Sequence, residues 1–312
     1  MDDPNTKRNT CLFIVFLLLA GVANALTYTR ILAFDALMCE CSYLIYVGLL
    51  LFWIQSVRAR LLPSRERAWL IGAALMMLFY LLLRIFKYRF TEEVIPLRYA
   101  VYLYFVPMTM IPTFFLIACL RILRGGHRAG RWDEALLLIP QGLLSLLAVT
   151  NDLHRLVYVP KIALNEFTVN TGTYTYGPVF YALYGWMILS FAAGLILLLR
   201  ESMRQRGKAL LFLLVAVAAW FGMLLIYVQF IDGIYGPHMY NTPEINMFGM
   251  LGVLEVCIRY HLIPHNANYA DFFATLRIPA LVTDGALRPV YRTEGGIRAD
   301  ADQLRAALKA PV

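Results

Sequence analysis

Eight apolar stretches, each about as long as a membrane-crossing helix, are separated by short polar segments along the chain. They cover residues 11–27, 36–57, 68–86, 99–121, 134–150, 177–199, 209–231 and 244–261. A bilayer core of ~30 Å is crossed by about 20 apolar residues in a helix. Because backbone polar groups find no water in that core, each stretch is predicted to be an internally hydrogen-bonded helix. The pattern predicts an all-α integral membrane bundle.

Composition supports this prediction and narrows the class of protein. Hydrophobic residues make up 60% and charged residues 15% of the 312 positions, whereas soluble proteins average roughly 45–50% and 25%. The net charge is +8, but the basic residues fall in short clusters between apolar runs, so no nucleic-acid partner is expected. The five cysteines show neither a disulfide framework nor metal-ligand spacing. The lipid bilayer is therefore the main partner predicted for the chain.

The distribution of Lys and Arg predicts the orientation of the bundle. Twelve lie in or beside the three connections near residues 58–67, 121–131 and 200–208, and six lie in the alternating connections. Cytoplasmic loops carry the excess of positive charge. The C-terminus is therefore predicted to be cytoplasmic.

The first apolar stretch has features of a signal peptide. Lys7 and Arg8 precede it, and Ala23-Asn24-Ala25 follows with the small-residue pattern of a cleavage site. Residues 1–30 are either cleaved, which leaves seven helices, or retained as an eighth helix that anchors the chain. The pattern slightly favours cleavage or a detachable anchor, and the orientation of residues 36–261 is the same in both cases.

The composition changes after residue 261, where Pro264 ends the last helix. Residues 266–276 are predicted to form a short amphipathic helix, residues 280–284 and 289–292 two short strands, and residues 300–309 another helix. Residues 262–312 are thus predicted to be a connector followed by the beginning of a small α/β module.

Polar side chains gather at the predicted outer ends of the helices. Ionisable groups at membrane depth are costly and usually face a cavity or a partner, so these residues are candidates for sensing a small polar or amphipathic ligand. The alternative is that they are ordinary interfacial residues that snorkel to water or cap helix ends. The candidates are Asp35, Glu40, Arg84, Asn151, Asp152, His154, Gln229, Asp232, His238 and Glu244.

The longest outer connection, residues 151–176, is predicted to contain a two-stranded hairpin. It is rich in β-branched and aromatic residues and carries the turn signal Asn170-Thr171-Gly172. The hairpin is interpreted either as a lid over the bundle or as a folded connection. Tyr176 and Tyr184 are interpreted first as part of an interfacial aromatic belt. The less favoured interpretation is that they line a ligand pocket.

The last apolar stretch carries Glu255 four residues before Arg259, the favourable spacing for an intrahelical ion pair. Together with Pro264, these residues are candidates for relaying a movement to the cytoplasmic segment. The alternative is a purely structural pair. No motif of a metalloprotease, phosphate-binding loop or serine hydrolase occurs, so no enzyme activity, metal or cofactor is expected in these residues.

Four segments carry a family resemblance. They are T-N-D-L-H-R-L at 150–156, Y-G-P-V-F-Y at 176–181, N-T-P-E at 241–244 and I-P-H-N-A-N-Y-A-D-F-F at 263–273. In order and spacing, over residues 36–261, the sequence resembles the seven-helix N-terminal sensor region of bacterial histidine kinases.

The resemblance has implications for location, assembly and site. It implies a multi-pass protein of the bacterial plasma membrane, a homodimer, a PAS-like module that opens at residues 279–292, and a cytoplasmic kinase or response regulator as partner. It also implies sensing positions at Thr150, Asn151, His154, Tyr176, Gly177, Tyr184, Thr242 and Pro243. His154 lies on the predicted outer side and is therefore not a phosphorylated histidine.

The function predicted from the sequence is that of a membrane signal receptor. Two other functions remain open at this point: a small-solute transporter or channel, and a passive membrane anchor for a partner protein. A transporter would need a polar path through the membrane, and an anchor would tolerate replacement of the candidate sensing residues.

Overall fold

The computed structural model of the protein describes eleven segments of the chain. They are residues 4–26, 32–61, 65–87, 94–123, 131–163, 166–167, 174–205, 207–226, 242–259, 281–283 and 289–292.

The described residues are mostly helical. The helices are α1 (Pro4–Ala25), α2 (Leu32–Arg60), α3 (Arg65–Ile85), α4 (Val94–Leu123), α5 (Arg131–Val149), the single-turn α6 (Asn151–His154), α7 (Pro178–Gln205), α8 (Gly207–Ile226) and α9 (Thr242–Arg259). The strands are β1 (Tyr158–Pro160), β2 (Tyr174–Tyr176), β3 (Leu281–Thr283) and β4 (Pro289–Arg292).

Six of these helices are long and apolar enough to cross a membrane. The spans are Arg8–Ala25, Leu37–Arg60, Arg65–Ile85, Val94–Arg121, Trp132–Val149 and Pro178–Arg200. In α8 the apolar part is the shorter segment Leu211–Leu224, and α9 packs beside α8. These helices confirm the predicted helical membrane architecture.

Helix α4 has a central place in the bundle, because α3, α5 and α7 all pack against it. Glycines allow two close approaches in the core. A Cβ atom at Gly194 would lie 2.7 Å from the Phe115 ring, and one at Gly249 would lie 2.3 Å from the Trp220 ring. Such small-to-large contacts are typical of helix packing in membranes, where close approach of backbones replaces the hydrophobic effect.

The apolar side chains of α5 show which surface faces lipid. Trp132, Leu136, Ile139 and Leu143 repeat along one face of this helix and are more than half exposed. In water such a stripe would be unstable, whereas in a bilayer it contacts acyl chains.

Both predicted strand pairs form. β1 pairs antiparallel with β2, Tyr158 lying opposite Tyr176, and β3 pairs antiparallel with β4. The second pair is only a small two-stranded sheet, so a PAS-like module is not confirmed by it. The helices predicted at 266–276 and 300–309 lie outside the described residues.

Candidate signal-receiving site

Contacts between helix termini define the two ends of the bundle. At one end, named here the hairpin end, the first turns of α4 and α7 meet α6 and the β1–β2 hairpin. At the other end, named the opposite end, Arg121 near the end of α4 forms ion pairs with Glu66 of α3 and Glu134 of α5. The candidate sensing residues of α6 and of the hairpin therefore share one end.

Asn151 anchors the hairpin to the bundle. Its side chain is fully buried, and its Oδ1 accepts hydrogen bonds from the backbone N–H groups of Val157 (2.8 Å) and Tyr158 (3.2 Å). Its Nδ2 donates to the Tyr158 carbonyl oxygen and to the Tyr102 hydroxyl, both at 3.1 Å. Only an amide offers two donors and an acceptor in this geometry, so asparagine is the residue that this position requires.

The hydrogen bonds continue from Asn151 to a buried ion pair. The Tyr102 hydroxyl accepts from Asn151 and donates to Asp152 Oδ1 at 2.9 Å. The other carboxylate oxygen of Asp152 lies 2.8 Å from Arg98 Nη2, and the Arg98 side chain is only 6% exposed. Removing one member of such a pair leaves a buried charge without its counterion. The start of α4 is thereby linked to the short helix α6 through opposite charges on the two helices.

His154 and Thr150 satisfy backbone groups where α5 ends. His154 Nδ1 accepts the Leu156 N–H at 3.0 Å, and Nε2 lies 2.9 Å from the Leu147 carbonyl oxygen. The first bond requires an unprotonated Nδ1, so the neutral Nε2–H tautomer fits both contacts. The Thr150 hydroxyl donates to the Leu146 carbonyl oxygen at 2.7 Å. Both residues therefore support the turn into the hairpin.

Two backbone features complete that turn. Arg155 has φ 56° and ends α6 in the left-handed conformation. Gly177 lies against the Leu156 carbonyl, where a Cβ atom would be 2.1 Å from the oxygen. A side chain at position 177 would therefore push β2 and α7 away from the turn.

A group of aromatic rings, named here the tyrosine cluster, lies between the hairpin and helices α4 and α7. Its members are Tyr102, Phe105, Tyr158, Phe167, Tyr174, Tyr176, Phe180 and Tyr184. The ring of Tyr158 lies at its centre, 5.0 Å from Tyr174 and 5.9 Å from Phe105 between centroids. Tyr176 stacks on Phe180 at 4.0 Å.

The tyrosine cluster has a buried inner side and an exposed outer side. Burial raises the pKa of the Tyr158 hydroxyl well above its ordinary value, and burial together with a hydrogen bond to Tyr176 raises the pKa of Tyr174 to about 12. Tyr176 and Tyr184 are 47% and 37% exposed. Neutral aromatic faces beside phenolic hydroxyls suit contact with an amphipathic molecule.

A second pair of candidate residues is brought together by α3 and α9. Arg84, near the end of α3, forms an ion pair with Glu244 in the first turn of α9, and the Glu244 side chain is 2% exposed. The Arg84 guanidinium also lies 5.8 Å from the ring centroid of Tyr43 on α2. The predicted candidates Arg84 and Glu244 are therefore direct partners.

The remaining candidates have different positions. Asp35 is half-buried and Glu40 is exposed on the first turns of α2. Gln229, Asp232, His238 and Pro264 lie outside the described residues.

The chain also matches a known protein family. The family described as the N-terminal 7TM region of histidine kinase matches residues 36–264, more than two thirds of the chain. The chain belongs to this family. No curated protein and no solved structure matches it.

Membership of the histidine kinase 7TM family confirms the resemblance predicted from the four short segments. The protein is thus a multi-pass membrane protein of the sensor type. The matched region is the membrane part of such kinases and not their catalytic core.

In this 7TM region the last helix, α9, has a partner at the opposite end that sequence analysis missed. Arg60 of α2 donates from both guanidinium nitrogens to Glu255, at 2.6 and 2.7 Å, and Trp53 Nε1 donates to the same carboxylate at 3.2 Å. The pair predicted between Glu255 and Arg259 within α9 stays a prediction.

In the sequence, Arg60 and Arg98 contribute only to the positive charge of the connections between helices. A sequence signal for them does exist, since each arginine stands at the edge of an apolar stretch and can reach inward with its long side chain. That signal indicates that the arginine has a partner but does not identify the partner.

Proposed function

We propose that the chain is the membrane receptor module of a two-component sensor. In this proposal a small polar or amphipathic ligand binds at the hairpin end, and helix α9 transmits the change to the cytoplasmic residues 262–312. A kinase domain or partner kinase, working as a homodimer, then passes the signal to a response regulator. The positive-inside rule supports placing the hairpin end outside and the C-terminus in the cytoplasm.

The observation that carries the proposal is the packing that connects the hairpin end with α9 through helix α4 and a set of aromatic rings. Phe105 of the tyrosine cluster and Phe115 both belong to α4, and Phe115 stacks on Phe191 of α7 with centroids 5.7 Å apart. Phe191 contacts Trp220 of α8 at 5.1 Å. Trp220 packs on Gly249 of α9. The step from Phe105 to Phe115 runs along helix α4, and the later steps are packed side-chain contacts, so a shift of the tyrosine cluster can reach the last helix through α4.

The ion pairs of α9 support the same role. Glu244 and Glu255 are eleven residues apart, which is close to three helical turns, so both carboxylates project from one face of the helix. Arg84 binds one and Arg60 binds the other. These pairs hold α9 in its present packing, and we propose that the second arrangement of the switch breaks at least one of them.

A ligand shifts the balance between two such arrangements only by its difference in affinity for them. The last helix must therefore be mechanically continuous with the cytoplasmic segment. Inserting a flexible Gly-Ser segment after Leu262 is expected to abolish signalling, measured with a reporter of the response regulator in the native cell, while ligand binding remains. An insertion of equal length built from alanine is the matched control and should preserve part of the output.

Three outcomes would contradict the receptor proposal. Unchanged signalling after the Gly-Ser insertion would refute relay through α9. Ligand-dependent solute flux in proteoliposomes would favour a transporter. Full output from a variant with Asn151, His154 and Glu244 all replaced by alanine would favour a passive anchor.

A further inference from the structure

Five polar side chains lie between α4, α5 and α7, in the middle of the apolar spans. This group, named here the central polar cluster, consists of Thr109, Thr113, Gln141, Ser145 and Trp186. Thr109, Thr113 and Gln141 are completely buried. Trp186 Nε1 donates to the Thr113 hydroxyl at 3.0 Å, and the Thr113 hydroxyl donates to the Thr109 carbonyl oxygen at 2.8 Å.

The hydrogen bonds of Thr109 fix the orientation of the Gln141 amide. The single hydroxyl proton of Thr109 is directed to the Phe105 carbonyl oxygen at 2.7 Å, so this hydroxyl can only accept a bond from Gln141. The group at 2.8 Å from it must therefore be the NH₂ of the amide, which also donates to the Ser145 hydroxyl at 3.0 Å.

The carbonyl oxygen of Gln141 is left as an acceptor. Gln141 Oε1 is buried and, among the residues that the structure describes, accepts no hydrogen bond. A buried carbonyl oxygen that accepts nothing is costly in an apolar environment. The site therefore favours a molecule that brings one hydrogen-bond donor.

Glycines beside two members of the central polar cluster leave backbone uncovered. Gly142 follows Gln141 on α5, and Gly185 precedes Trp186 on α7. A Cβ atom at either glycine would meet nothing within 4 Å. An apolar chain that lies against α5 and α7 at this level would contact these two bare backbone segments.

We propose that Gln141 Oε1 binds the hydroxyl group of a neutral amphiphile whose apolar chain lies against α5 and α7. A neutral donor is favoured because the five side chains of the central polar cluster are all uncharged, and a charge at this depth would be expensive. This proposal is independent of the relay through α9, because binding can be measured without any signalling output.

The test uses the full chain in lipid nanodiscs, with Trp186 as the reporter. The fluorescence change of the unmodified protein, minus that of a Trp186→Phe variant, is recorded during titration with 1-decanol and with methyl decyl ether. The ether has a similar apolar chain and can accept but not donate a hydrogen bond. Decanol is expected to give a saturable change, and the ether only the linear change of partitioning into lipid.

The substitution Gln141→Met removes the acceptor and keeps the side-chain length. It is expected to weaken the apparent affinity for decanol by about fivefold or more, the usual effect of one hydrogen bond. Gln55→Met is the matched control, because Gln55 is exposed on α2, and this variant should bind decanol like the unmodified protein.

Two results would overturn the proposal. Equal saturable responses to decanol and to the ether would show that no donor is recognised. The lack of a saturable response to decanol would show that water alone meets the Gln141 oxygen. Because both results are read in the unmodified protein, they stand even when Gln141→Met fails to fold.

Discussion

The sharpest prediction concerns Asn151, whose side chain connects α6 to the hairpin. Replacing it with alanine removes the acceptor for two backbone N–H groups, those of Val157 and Tyr158. Both residues are buried, at 0% and 6% exposure, so water does not replace the lost acceptor without opening the structure. The variant is therefore expected to loosen the hairpin locally rather than to unfold the bundle.

The magnitude follows from these two groups. Leaving one buried donor unsatisfied costs about 1–3 kcal/mol, so two donors cost about 2–6 kcal/mol. Since each 1.4 kcal/mol corresponds to a factor of ten, amide exchange through local opening should accelerate by at least about 30-fold at both positions.

Hydrogen–deuterium exchange in nanodiscs measures this effect directly. Leu153→Ala is the matched control, because Leu153 belongs to the same helical turn but is 85% exposed, and exchange of the hairpin should be unchanged in this variant. If Asn151→Ala leaves both amides as protected as in the unmodified protein, the assignment of Asn151 as the anchor of the hairpin is refuted.

Three further predictions concern the relay helix and the tyrosine cluster. Replacing Arg60 and Glu255 by glutamine, singly and together, should reveal a coupling of about 1 kcal/mol in a double-mutant cycle of unfolding, and strictly additive effects would contradict the pair. Gly249→Ala should lower the free energy of unfolding by about 1–3 kcal/mol, because the new methyl group overlaps the Trp220 ring; a smaller loss in a Trp220→Leu background would show that this overlap is the cause. The free energy of unfolding should fall as the pH rises above about 10. Tyr158 ionises there in the unfolded chain, whereas in the folded protein burial raises the pKa of its hydroxyl and keeps it neutral. Denaturation experiments at about pH 8 to 12 measure this decrease in the free energy of unfolding. The decrease should be smaller in the Tyr158→Phe variant, and a decrease of unchanged size would count against the burial of the hydroxyl.

The helical architecture was predictable from the sequence because bilayer thickness imposes a length on every apolar stretch. The two strand pairs were predictable from local β-branched and aromatic runs bounded by turn residues. The role of Asn151 as a structural anchor was not, because three of its four hydrogen bonds depend on how the backbone folds at Val157 and Tyr158, and the fourth depends on Tyr102, which is 49 positions away in the chain.

The same distance problem explains the missed partners of α9. The carboxylate of Glu255 was visible in the sequence, and the spacing to Arg259 gave a local partner for it. Arg60 is 195 positions away, so only the packing of α2 on α9 brings the two side chains together. Gln141 stood out even less, since a single polar residue in an apolar helix does not disclose how many of its hydrogen bonds are satisfied.

The position of the two carboxylates on one face of α9 also limits how this helix can move. Rotation about its own axis or sliding along it would strain both arginine contacts at once, whereas a tilt about one contact as a fulcrum strains only the other. The carboxylates are eleven residues apart, or about 16 Å along the axis. A tilt of about 10° would therefore displace the free end by about 3 Å, enough to exchange one set of packed side chains for another.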